Sequence, residues 1–334
     1  MPKKRIKYID LVKLVTIYLV ILGHVIAMMV DGYSVGGRLY SFIYSFHMPL
    51  FMILSGFFVG GSVKKPFVFF LIQKTKQLLL PAITCTIIVC IYQCIFRDNY
   101  SLRDEIIGNS WFLKTLFIYY ILFYILKKIP INDWVLCTCS CVILYIVPMG
   151  TTLQINLLFP FFWMGYFFKK YEVLDKCYGK SMYAISFSLL FAFCYYMQLH
   201  MNIPNYISIN IDTIHTMWNH IIFRYIVAFT GSMTFILWTI ILYKYCGTQR
   251  IISQLSEYGK WTLGIYVLQT ILVVNVFPDV LPLYVGNELL FNVVVAPLLS
   301  IVFLYLCIVI IKISSKSRVL DILLYGGQYN HRQD

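Results

Sequence analysis

Acid is scarce in this chain. Only 14 of its 334 residues are Asp or Glu, and charged residues of both signs make up 12%, about half of what an ordinary soluble domain carries. With 60% hydrophobic residues and a mean hydropathy of +0.78, there is too little polar surface to wrap one water-soluble core. A soluble enzyme, a disordered tail and a fibrous protein are therefore excluded. The sequence also has no CxxC pair, no long Gly/Ser/Pro linker and no repeat of fixed period, so a single domain over residues 1–334 is expected. The ten Cys lie mostly within apolar runs and read as small packing residues rather than ligands or disulfides.

What the chain has instead is apolar length. A helix needs about 20 mainly apolar residues to cross a bilayer. Such windows, bounded by basic clusters, Pro, Gly or polar runs, fall at 8–30, 40–61, 78–96, 111–126, 133–149, 152–168, 182–199, 219–243, 259–277 and 288–312. The expected fold is all-α and polytopic, with about ten transmembrane helices. Between the second and third, residues 65–77 read as an amphipathic interfacial segment, with Phe67, Phe69, Phe70 and Leu71 opposite Lys74 and Lys76. The basic N-terminal run leads into an apolar stretch without a small-residue cleavage site, so it reads as a retained first helix.

With both termini placed in the cytoplasm, 21 Lys and Arg fall on that side and three, Arg38, Arg97 and Arg103, on the other. That asymmetry is the positive-inside rule. It accounts for the net charge of +13 without a nucleic-acid partner.

Ionisable groups within apolar windows are the natural functional candidates, because lipid makes them costly. Asp10 and Lys13 stand three apart on the first helix and can pair. His24 lies about 16 Å further along the same axis, too deep to reach the inner headgroups. His47, in the string SFHMPLFMILSGFF of the second helix, is expected at a similar depth, each imidazole about 10 Å below the outer surface. Pro49 deprives the Ser45 carbonyl of its helical partner and should kink the helix beside His47. Ser55 follows eight residues on, on nearly the same face, and Gly56 with Gly60 forms a GxxxG pair suited to close helix packing. Arg224 is an intramembrane charge with no partner evident in the sequence. Lys114 reads as snorkelling at the outer boundary. His215 and His220, taken as an outer loop, have no further ligand set around them, so no metal is expected.

The strings YIDLVKLVTIYLVILGH (8–24) and FHMPLFMILSGFF (46–58) resemble the opening two helices of the acyltransferase type 3 membrane family, and most closely its short members described as fucose 4-O-acetylase-like. The likeness continues in order through KTKQLLLPAI (74–83), NSWFL (109–113), FPFFWMGYFFKKY (159–171) and GKWTLGIYVLQ (259–269). Lys13 stands where Arg is common, Gln77 where a second Arg is frequent and Gln269 where a His is frequent.

The resemblance implies transfer of an acyl group, usually acetyl, from cytoplasmic acetyl-CoA to a hydroxyl of a cell-envelope or exported glycan, or of a lipid-linked sugar. It places the protein in the cell membrane, with the bacterial cytoplasmic membrane as the expected site. His24 is then the expected general base, with His47 orienting it or stabilising charge and Asp10 supporting them. Lys13, Lys74, Lys76 and Ser55 are assigned to the donor, and Asn109, Trp111 and Arg224 to the acceptor. An acyl-enzyme through His24 or Ser55 and direct transfer both remain open. The competing class is a proton-coupled secondary transporter, which buried Lys, Arg and His would also suit. No segment like FHMPL recurs in the second half, which favours the enzyme.

Overall fold

Helix is what the apolar runs become. The computed structural model describes residues 5–28, 37–97, 101–146, 152–207, 209–280 and 288–329, and among these there is no strand. The chain opens with α1 (Lys7–Met28), α2 (Arg38–Tyr44), α3 (His47–Phe57), α4 (Val59–Ser62) and α5 (Phe67–Lys74). A π-helical stretch (Thr75–Leu79) joins α5 to α6 (Leu80–Phe96). Next come α7 (Leu102–Gly108), α8 (Trp111–Leu126), α9 (Asp133–Ile146), α10 (Ile155–Lys170), α11 (Val173–Lys176), α12 (Ser181–His200) and α13 (Ile211–Cys246). After α14 (Arg250–Tyr258) a single 3-10 turn (Gly259–Trp261) leads into α15 (Thr262–Gln269), a π-helical stretch (Thr270–Val276) and α16 (Phe277–Val280). Then α17 (Glu288–Leu290) runs through a π-helical stretch (Phe291–Val295) into α18 (Ala296–Ser314), and α19 (Arg318–Tyr325) follows.

Each of the ten apolar windows is mainly helix where it is described, with breaks at 45–46 and 58 in the second and a non-helical start at 152–154 in the sixth. Among the described residues, seven helical runs are long and apolar enough to cross a membrane, and the pair α7–α8, bent by 55°, would make an eighth as a single broken span. The fifth and sixth windows are shorter: α9 has 14 residues and α10 has 16. Lys3, Lys4 and Arg332 of the charge argument lie outside the described residues.

Two local expectations are corrected. Residues 65–77 are not a separate interfacial segment, because α5 continues through its π-helical stretch into α6 as one run of 30 residues. Nor do its lysines oppose its aromatics: Phe70 and Lys74, one turn apart, share the buried side, while Phe67, Phe69 and Lys76 are exposed. His215 lies in helix rather than loop. An Asn210–Thr213 capping box starts α13 about two turns before the expected window, and Met217 kinks it.

By packing, the described chain divides into two compact units that interleave in sequence. The first comprises 1–16, 41–64 and 122–260, and the second 17–40, 65–121 and 261–334. In the first unit α3 and α10 meet backbone to backbone. A Cβ on Gly56 would stand 1.9 Å from the Phe162 carbonyl oxygen, and one on Gly165 2.0 Å from that of Ile53. Glycine is what allows this approach. In the second unit α19 tucks against the π-helical stretch after α5. Gly326 ends α19 in the left-handed region (φ 69°) with the Lys76 carbonyl 2.4 Å from where its Cβ would be.

Candidate active site

In the first unit the site is built around a break in the second span. Pro49 sits in the first turn of α3, where a missing N–H costs no helical bond. The bond it cannot make is the one Ser45 would have received. The chain leaves helix at Ser45 and Phe46, the latter with φ −141°, before restarting at His47.

The break releases carbonyls in a buried place, where an unmet acceptor costs about 1–3 kcal/mol. They are met from α13. Arg224 Nη2 donates to Tyr44 O at 3.2 Å, Nη1 donates to Ser45 O, and Nε donates to Asn205 O at 2.8 Å. Two turns further along α13, the Ser232 hydroxyl bonds Ala228 O at 2.7 Å and lies 3.3 Å from Phe46 O. A Cβ on the intervening Gly231 would stand 2.7 Å from that of Phe46, so its lack of one lets the helix close on the break. The partner that sequence could not supply for Arg224 is thus the backbone Pro49 sets free. Ser232 and Asn205 were not legible as site residues, because what they touch or present is main chain.

His47 is buried, with 3% of its surface exposed, and its Nδ1 lies 2.9 Å from Ile43 O. A carbonyl only accepts, so Nδ1 carries the proton and Nε2 is the basic position of the neutral ring. Tyr44 meets the ring edge-on, with centroids 4.6 Å apart. Ser55, part-buried, sits eight residues on in α3, about 12 Å along the axis.

Asp10 and Lys13 pair as expected, at 3.3 Å, and Arg5 adds a second cation 2.9 Å from the same buried carboxylate. Lys13 also lies over the Phe58 ring, 4.5 Å from its centroid. Gly259 fixes the backbone here, since a Cβ on it would fall 1.9 Å from Asp10 O.

The remaining predicted residues belong to the second unit. His24 keeps part of its surface open, while Ile21, Leu22, Val25 and Ile26 around it in sequence are buried. Lys74 is 7% exposed and lies over Tyr120, 3.5 Å from the ring centroid, an arrangement that stabilises a desolvated cation. Lys76, two residues on, faces out. Asn109 occupies the break between α7 and α8 and gives its amide to Glu105. Lys114 folds back to donate to Asn109 O at 2.6 Å and to Ile106 O, so it ties the bend together rather than reaching away from it. Trp111 opens α8 and is part-exposed. Gln269 is fully buried and donates to Thr270 Oγ1 at 3.0 Å. Among the described residues, no three His, Cys, Asp or Glu group as a metal site would require.

A family model described as an acyltransferase domain matches residues 6–312. Two curated proteins named nodulation protein NolL are similar. That of Mesorhizobium japonicum is 29% identical over 174 residues, 48% of this chain and 46% of that protein. That of Sinorhizobium fredii is 27% identical over 175 residues, 48% and 47% respectively. The chain thus spans about half the length of the curated relatives it matches. No solved structure matches it.

Proposed function

This chain belongs to the acyltransferase domain family, and on that ground we propose that it is a membrane-embedded O-acyltransferase. It moves an acetyl group from cytoplasmic acetyl-CoA to a hydroxyl of a cell-envelope or exported glycan, in a bacterial cytoplasmic membrane. The observation that carries the reading is His47: a buried imidazole whose Nδ1 is committed to a backbone carbonyl and whose Nε2 is therefore a base.

In the proposed reaction the acceptor oxygen bonds to the thioester carbonyl carbon and the carbon–sulfur bond breaks. The hydroxyl proton passes to an imidazole, and from there to the departing CoA thiolate. His24 serves as general base, a contribution of about 10²- to 10⁴-fold. His47 orients it or stabilises developing charge, and Asp10 holds Arg5 and Lys13. Lys13, Lys74 and Lys76 are assigned to the anionic donor, for which a Lys ammonium is a compact phosphate partner. A buried Lys74 and an exposed Lys76 within one helical turn fit a charged group that enters from water. Ser55 is assigned to the donor, and Asn109 and Trp111 to the sugar acceptor.

The test is reconstitution of the purified protein with labelled acetyl-CoA and an envelope glycan extract, comparing wild type with His24→Ala. Label on glycan hydroxyls that disappears in a folded variant is the expected result. Absence of donor binding, together with counterflow of a small solute, would establish a transporter instead.

A further inference from the structure

We infer that Arg224 is a positioning residue: its guanidinium, with the Ser232 hydroxyl beside it, holds the carbonyls at the break between α2 and α3 and thereby fixes His47 with Nδ1 protonated. The inference rests on the acyltransferase reading for its kinetic consequence, and on geometry alone for its structural one.

The argument begins from the bond that sets the tautomer. His47 Nδ1 is bonded to Ile43 O, and only residues 44, 45 and 46 separate the two partners. In an unbroken helix those residues would be held by the main-chain ladder. Here the chain turns out of helix at Ser45 and Phe46, and Pro49, lacking an N–H, leaves Ser45 O without its helical donor. Tyr44 O and Ser45 O accept from Arg224, while Phe46 O keeps its helical donor, the Leu50 N–H at 2.9 Å, with the Ser232 hydroxyl 3.3 Å away. The two carbonyls between the imidazole and its acceptor that the helix leaves unserved, Tyr44 O and Ser45 O, are therefore held from α13. The side chain of Tyr44 lies edge-on to the imidazole.

The choice of residue is informative. Arg224 is 2% exposed, and among the described residues no carboxylate pairs with it. Burying a charge in this way is costly, so satisfying carbonyls alone would not call for it. A neutral amide could serve one or two acceptors. Spanning Tyr44, Ser45 and Asn205 together needs the planar fork of a guanidinium, which a Lys ammonium does not reproduce. A group that must not move during proton transfer justifies that rigidity, because a misplacement of about 1 Å can cost about 10²-fold in rate.

The experiment uses the full chain in lipid nanodiscs with ¹⁵N-labelled histidine. Wild type is compared with Arg224→Gln, Arg224→Lys and Ser232→Ala, and His47→Asn identifies the His47 signals. Wild type is expected to show a protonated Nδ1 on His47. In Arg224→Gln that signature should spread over both tautomers, with kcat lowered about 10²-fold and the KM values for acyl-CoA and acceptor changed by no more than about twofold. Arg224→Lys should fall between the two, and Ser232→Ala closer to wild type. Should Arg224→Gln fail to fold, Arg224→Lys and Ser232→Ala carry the comparison.

A rise in acceptor or donor KM with kcat and the His47 signature unchanged would mean that Arg224 touches substrate, overturning the inference. An unaltered signature in every variant would overturn it too. If the ring responds while no variant or wild type transfers acyl groups, the positioning role stands and the acyltransferase reading falls.

Discussion

Gly56→Ala tests how tightly α3, the helix of His47 and Ser55, is tied to α10. The added Cβ would stand 1.9 Å from Phe162 O. An ordinary carbon–oxygen contact is about 3.4 Å or more, so the two helices must part by about 1.5 Å, and the opposing atom is main chain that cannot turn aside. Overpacking of this kind costs about 1–3 kcal/mol, and the upper end is expected. Gly165→Ala makes the reciprocal clash with Ile53 O at 2.0 Å. Because either substitution opens the same seam, the second should add little once the first is present, giving a coupling of at least about 1 kcal/mol in a double-mutant cycle. Unfolding in a denaturing detergent series measures all four proteins, and acyl transfer measured alongside should fall because α3 moves with the seam. Costs below about 0.5 kcal/mol for each single variant, or strict additivity of the pair, would refute the close approach.

His47→Asn keeps a donor near Nδ1 for Ile43 O but removes Nε2. The protein should fold while acyl transfer drops about 10²- to 10⁴-fold, and near-normal turnover would remove His47 from the chemistry. Lys74→Met gives up the contact with Tyr120, worth about 0.5–2 kcal/mol. Loss of one charge-assisted phosphate bond should raise the acyl-CoA KM about 10- to 100-fold; an unchanged KM excludes Lys74 from the donor site. Asp133, buried at the start of α9, accepts from Lys127, from Lys170 at 2.6 Å and from the Tyr166 hydroxyl at 2.9 Å. Its replacement by Ala leaves two half-exposed cations facing each other and should cost about 2 kcal/mol, between surface and buried pairs. High salt should narrow that difference, and a loss under about 0.3 kcal/mol would show the cluster to be idle.

Hydropathy made the helices legible, because a 20-residue apolar run has few other fates in a chain with so little charge. The break before Pro49 was legible for the same local reason: a missing N–H is written in one residue. What answered it was not. Arg224 and Ser232 lie about 180 residues away and bond to main chain, and a carbonyl leaves no mark on the sequence that a distant donor's position could be matched to. The facing of α5 was misjudged because Phe70 and Lys74, four residues apart in a regular helix, share one side, so the lysines and the aromatics do not divide into opposite faces. Lys114 was taken as a boundary residue, since the bend at Asn109 whose carbonyl it serves is a tertiary feature. The glycine seam was half visible: Gly56 was marked for close packing, but its counterpart Gly165 sits on a helix more than a hundred residues on.

Even counted from its kink at Met217, α13 rises about 43 Å, against a hydrocarbon thickness of about 30 Å. One stiff rod is therefore longer than the oil it crosses, and it must lean or protrude to fit. Since that rod also grips the peptides beside His47, acyl-chain length in the surrounding lipid becomes a setting of the chemistry. Bilayers of C14 and C18 lipids should tilt α13 differently and hand the imbalance to an imidazole that is itself buried in the protein.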